Sequence, residues 1–163
     1  LHQGFFLLIA ASHRADVSED ILKWFSSIFD HYLKWNKIQG STMNINSIWV
    51  NEMKAGDYNP VHVHQGGLYT GLSSVMILKL PKDMGPERTH PDQPLNGQLQ
   101  MMGSSSGQFA KVDFSPKMEI GAFYVFPYDI RHCVYPFANK KEKRRTLVCN
   151  VDVHYDPITS RMA

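Results

Sequence analysis

The chain has 163 residues, 43% hydrophobic and 20% charged, with a formal charge of +2. That length suits a single domain with a substantial core, and so small a charge argues against nucleic acid or a membrane surface as partner. Two cysteines, Cys133 and Cys149, are too few for a disulfide framework, which points to a cytoplasmic protein.

The run Gly4 to Ala11 is apolar but far shorter than a bilayer span, and it lacks a basic leader. No function is read into residues 1–15. Residues 18–36 carry the one clear helical pattern. Ile21, Leu22, Trp24, Phe25, Ile28, Phe29, Tyr32, Leu33 and Trp35 recur as an amphipathic stripe. Ser18 is placed to cap it, Glu19 and Asp20 suit the positive end of the helix dipole, and Gly40 closes the region. So aromatic a stripe is better explained by packing on a sheet than by a ligand site.

Beyond Gly40 the period becomes that of strands. Ile45, Ser47 and Trp49 alternate with Asn46, Ile48 and Val50, Gly56-Asp57 marks a turn, and Val61 to Gln65 reads as a short strand. Leu72 to Leu80 is a longer strand. Residues 82–96, rich in proline and glycine, read as an irregular loop of the kind that serves as a lid. Gly97 to Met102, Gln108 to Phe114, Ala122 to Phe126, Cys133 to Phe137 and Thr146 to Val153 complete the series, with a hairpin turn at 103–107. The basic run from Lys140 to Arg145 reads as a solvated turn before the last strand. Many short strands after one helix predict an all-β core, a sandwich or barrel with a supporting helix outside it. Residues 1–40 are assigned to the N-terminal segment and helix, and 41–163 to one compact β domain.

The chemistry concentrates in three histidines. His62 and His64 are two apart, so on a strand both side chains would leave the same face. His132, from a later strand, would supply a third imidazole and leave the remaining metal positions open, as a catalytic centre requires. Asp57 and Asp129 are the nearest carboxylates that could replace His64, and His64 ranks ahead of both. His90 reads as a solvent-exposed loop residue and His154 has no partner in sequence.

Twelve residues after His132 comes Arg144. Arg144, Thr146, Val148 and Asn150 would share one strand face, while Leu147, Cys149 and Val151 share the other. An arginine and a hydroxyl two apart make a fork suited to a carboxylate. On this alternation both cysteines face away from the working side, as small hydrophobes. Tyr58, Asn59 and Tyr69 flank the first histidines and are candidates to line the cavity.

The order Asn59-Pro60-Val61-His62-Val63-His64, Gly121 to Pro127, His132-Cys133-Val134-Tyr135-Pro136 and Arg144-Arg145-Thr146 resembles the Fe(II)- and 2-oxoglutarate-dependent oxygenases. It is most similar to the small prolyl-hydroxylase-like group found in marine bacteria and phages. The resemblance spans roughly residues 45–153. It implies a double-stranded β-helix, or jelly roll, with Fe(II) near one mouth of the barrel and 2-oxoglutarate as co-substrate. Carried over by position, it makes His62 and His132 metal ligands and gives Arg144 and Thr146 the far carboxylate of 2-oxoglutarate; Asn59 and Tyr69 are cofactor-binding candidates from their place beside the first histidines. The implied reaction is hydroxylation of a small-molecule or peptide substrate, such as a prolyl or other protein side chain, with release of succinate and carbon dioxide. One position departs from the wider superfamily: His64 stands where a carboxylate is usual. Three neutral imidazoles leave the iron a net +2, which favours an anionic chelator and alters its redox behaviour. Two other readings follow from the residues: a three-histidine cupin-type dioxygenase that uses no 2-oxoglutarate, and a non-catalytic jelly-roll binding module. Against the first the discriminator is Arg144, which that reading does not need buried in the barrel; metal analysis of the purified protein addresses the second.

Overall fold

Four-residue spacing places Phe25, Phe29 and Leu33 on one side of the helix, and all three are buried. In this computed structural model, which describes residues 11–87, 94–104 and 112–155, helix α1 runs Glu19–Trp35. Ser18 enters it in extended conformation (φ −65°, ψ 158°), but its hydroxyl makes no capping bond. The aromatic stripe lies against a sheet, as expected: the rings of Trp24 and Phe25 sit 5.1 and 5.7 Å from that of Phe123.

Two antiparallel sheets follow. The larger has five strands in the order β1 (Ala11–Arg14), β2 (Thr42–Met53), β9 (Arg144–His154), β4 (Gly71–Lys79) and β7 (Phe123–Pro127). The smaller has four: β3 (Asn59–His62), β8 (Arg131–Val134), β5 (Leu99–Met102) and β6 (Asp113–Phe114). The crossed connectivity between two facing sheets is that of a jelly roll. Of the expected turn at 103–107 and strand at 108–114, residues 105–111 lie outside the described residues.

The large sheet separates two cores. Leu147, Cys149, Val151 and Val153 join the helix residues on one side; Met53, Val75, Ile77, Leu99, Phe126, Val134, Phe137 and Val148 fill the space between the sheets. Alternation along β9 thus sends successive residues to different cores. Both cysteines are free and buried, Cys149 on the helix side.

One local expectation is corrected. Ile45 does not share a face with Ser47 and Trp49. The register passes from Ile45↔Val151 to Ser47↔Asn150, so Asn46 is an extra residue that turns Ile45 to the helix side. The tip of the 82–96 loop, residues 88–93, lies outside the described residues. The loop's described flanks rest on the turn before β9: Ala138 and Asn139 donate to the Met84 carbonyl (2.8 and 3.2 Å), and Lys82 donates to Glu142 (3.1 Å). Met84 packs with the core around Met53 and Phe137, at the Arg144 end of β9.

No helix among the described residues is long and apolar enough to cross a membrane.

Candidate metal and anion site

His62 and His132 stand directly opposite each other on paired strands β3 and β8, their ring centroids 4.2 Å apart. Each ring is oriented in the same way. His62 Nδ1 bonds the Pro60 carbonyl at 2.7 Å and His132 Nδ1 bonds the Ile130 carbonyl at 2.9 Å. A carbonyl only accepts, so both Nδ1 atoms carry the hydrogen, and each Nε2 keeps a free lone pair.

His64 reaches the same point by a route that its sequence spacing did not reveal. Strand β3 ends at His62, so alternation does not carry His64 inward. Instead its backbone N–H bonds the Tyr128 carbonyl at 2.9 Å, tying the segment to the β7–β8 turn. A buried carboxylate then fixes the chain beyond it. Asp152 accepts from the Gly67 N–H (2.9 Å), the Tyr128 hydroxyl (3.2 Å) and the Asn46 amide (3.2 Å). The approach is so close that a Cβ on Gly66 would fall 1.9 Å from Asp152 Oδ1, so only glycine fits there. The bulge that displaces Asn46 places its amide on this carboxylate.

The ligand-capable atoms of His62, His64 and His132 all lie within 4.8 Å of one another, and His64 Nε2 is 3.1 Å from His132 Nε2. Burial, then the neighbouring rings, hold His64 down to about 3; burial lowers His132 to about 4. At neutral pH these two rings are uncharged, the state in which imidazole binds a metal. Among the described residues no carboxylate joins the cluster. Asp57 accepts from the Lys54 N–H, and Asp129 borders a surface groove with Tyr32 and Tyr128.

The histidines share a narrow cavity with Trp49, Asn51, Asn59, Leu99, Arg144 and Thr146. Arg144 is 1% exposed, while its neighbour Arg145 points outward to Glu52 at 2.5 Å. Buried cations are ordinarily paired. Among the described residues Arg144 has no ion pair: Nη1 touches the Met53 sulfur at 3.7 Å, and Nε and Nη2 have no partner. Burial lowers its pKa to about 10, which still leaves it charged at neutral pH. Thr146, 2% exposed, lines the cavity on the same face. Donor set and orphaned guanidinium together fit a divalent metal and an anionic ligand.

Of the other candidates, Asn59 lines the cavity and Tyr69 does not. Tyr69 is 87% exposed and borders the Tyr32–Tyr128 groove, because the Asp152 clamp turns its segment outward. Tyr58 is half-buried and absent from the cavity wall. His154 is exposed and His90 lies outside the described residues. Trp49 and Asn51 were not anticipated in the wall. Their signal was present, since both alternate on one face of β2, and they are linked by a 3.0 Å bond from the indole N–H to the amide oxygen.

The sequence matches the family model described as "Putative 2OG-Fe(II) oxygenase" over residues 47–150. The chain belongs to this family. Its members are oxidoreductases whose cofactors are Fe(II) and 2-oxoglutarate. Similar solved structures include a 2OG-Fe(II) oxygenase family oxidoreductase from Burkholderia pseudomallei (TM-score 0.57, 14% identity, covering 88% of this chain and 64% of that one). A Pseudomonas putida prolyl-4-hydroxylase is also similar (0.57, 14%, 91% and 75%). So is a viral collagen prolyl hydroxylase from Paramecium bursaria Chlorella virus 1 in its 2-oxoglutarate complex (0.53, 11%, 90% and 81%). At these identities the likeness establishes the fold alone, and the chain spans less than two thirds of the Burkholderia protein. No curated protein matches the chain in sequence.

Proposed function

We propose that this oxygenase is an Fe(II)- and 2-oxoglutarate-dependent hydroxylase in which His62, His64 and His132 hold the iron and Arg144 with Thr146 binds the far carboxylate of 2-oxoglutarate. The observation that carries the proposal is Arg144: a buried cation with two unpartnered donor nitrogens, in the same cavity as three converging imidazoles. An unpaired buried charge is costly in isolation, and a carboxylate at the guanidinium removes that cost through charge-assisted hydrogen bonds. The three-histidine cupin reading has no use for such an arginine.

Bound together, Fe(II) and 2-oxoglutarate would activate dioxygen for hydroxylation, one oxygen atom going to the substrate and the other to the succinate that leaves with carbon dioxide. The chain's own part is positioning and exclusion. Neutral rings present lone pairs without competing protons. Arg144 and Thr146 fix the anion's orientation, and the cavity faces of Trp49, Val75, Leu99, Val134 and Val148 keep water from the site. We assign the substrate to the peptide or small-molecule class, with a prolyl side chain as first choice, supported by the prolyl hydroxylases among the similar structures. Two buried free thiols support a reducing, cytoplasmic setting.

The test is anaerobic titration of the Fe(II)-loaded protein with 2-oxoglutarate. A visible charge-transfer band that saturates with the co-substrate is expected. Iron binding without any such band would overturn the co-substrate assignment and favour the cupin reading.

A further inference from the structure

We propose that Asn150 is a positioning residue that sets the tautomer of His64 and thereby couples that ring to metal binding. The inference rests on the three-histidine metal site and goes beyond it. His62 and His132 have backbone carbonyls at Nδ1, which fix the hydrogen there. His64 has none: its Nδ1 faces the Asn150 side-chain amide at 3.3 Å. Unlike a carbonyl, an amide can present either a donor or an acceptor.

With Nδ2 toward the ring, Nδ1 must accept. The ring hydrogen then sits on Nε2, directed at His132 Nε2 3.1 Å away, and His64 has no lone pair at the point where the other two converge. That orientation also leaves Asn150 Oδ1 buried without a partner. A half-turn of the amide exchanges two atoms of nearly the same size. Oδ1 then accepts from Nδ1–H, and the Nε2 lone pair joins those of His62 and His132. The amide N–H moves to the side that Oδ1 held. Ser73, directly opposite Asn150 in the register with β4, is fully buried there with its own Oγ unpartnered. Lone pairs 3.1 Å apart repel unless a cation lies between them, so a bound divalent metal favours the half-turn. Asn150 thus does for His64 what Pro60 and Ile130 do for the other rings.

Zn(II), a diamagnetic probe, tests this on the full chain. In the 15N-labelled, Zn(II)-loaded protein, the long-range spectrum of the His64 ring should show Nδ1 protonated and Nε2 bound. Asn150→Leu should weaken Zn(II) binding about 10–100-fold and mix the His64 tautomers. Asn150→Asp, which can only accept at neutral pH, should restore both. Zn(II) held through Nδ1 of His64, or a folded N150L that binds like wild type, would overturn the proposal; if N150L does not fold, the wild-type spectrum decides. Failure of wild type to bind Zn(II) at all would instead overturn the metal site itself, so the two failures are distinguishable.

Discussion

The two faces of strand β9 lie one residue apart and follow opposite rules. Toward the helix, Leu147, Cys149, Val151 and Val153 pack against Phe25, Phe29 and Leu33, and the polar group there is satisfied: Ser74 donates to the Cys149 carbonyl at 3.0 Å. Toward the cavity stand Arg144, Thr146 and Asn150. The buried side-chain atoms left without a partner among the described residues belong to Arg144, Asn150 and Ser73, Asn150's opposite number on β4. One face is complete in itself; the other is complete only with something added. That contrast separates stability from function along a single strand.

The largest expected effect lies on the helix face. Phe29 is fully buried, so Phe29→Ala should destabilise the fold by about 3–5 kcal/mol through lost transfer energy and the cavity left behind. Denaturant unfolding measures this, and the folded fraction should still bind Co(II) with near wild-type affinity. A large loss of metal affinity in the folded fraction would show that the two faces are not independent.

Next comes Arg144→Met. It removes the unpaired cation and keeps much of the side-chain volume. Unfolding midpoints should therefore stay level or rise, as when buried charges give way to apolar residues. Binding of 2-oxoglutarate should weaken by about 2–5 kcal/mol, read from the charge-transfer titration, while Fe(II) affinity is retained. A variant both less stable and fully competent for 2-oxoglutarate would reverse the assignment of this face.

The contrast was partly legible in the residues themselves. Helix α1 and the alternation of β9 were readable because each is a local period, set by backbone geometry and by which side is wet. His62 and His132 were readable because each sits on a strand. His64 joins the cluster by a route that alternation does not give: its placement depends on the Tyr128 carbonyl and on the Asp152 clamp at Gly67, both far along the chain. No local pattern encodes those. The bulge at Asn46 was invisible for the same reason, since an extra residue is defined only against a partner strand. Tyr69 was misplaced into the cavity because proximity in sequence to a ligand says nothing about which side of a clamp a residue emerges on.

A pH scan sharpens the comparison in a third way. His64 and His132 are held at about 3 and about 4 in the fold, against roughly 6.5 in an unfolded chain. Between these limits the unfolded state binds more protons, so stability falls as pH drops from about 6.5 toward 4 and is regained above it. The loss for protein without metal should reach about 2 kcal/mol by pH 5, with an allowance for solvent screening of partly exposed rings. Replacing both histidines with Gln should flatten the profile in that window. An unchanged slope in the double variant would move the acid sensitivity to the carboxylates instead.

The smallest effect is expected at Arg145, the residue beside Arg144 that faces solvent. Its guanidinium and the Lys143 ammonium both hold Glu52, and with Lys143 as the larger cause they lower that carboxyl to about 2. Arg145→Ala leaves Lys143 in place, so Glu52 keeps a cation and no charge is stranded. Exposed pairs of this kind contribute little, and salt screens them. The melting temperature should shift by about 2 °C or less, and 2-oxoglutarate affinity should be unchanged at moderate ionic strength. Arg144 and Arg145 are the same residue type, one position apart on one strand. If both substitutions weaken 2-oxoglutarate equally, the effect is diffuse electrostatics and the buried fork has no special role. If only Arg144 matters, the decisive variable is the face of the strand, because there the guanidinium is shielded from solvent and, among the described residues, meets no carboxylate.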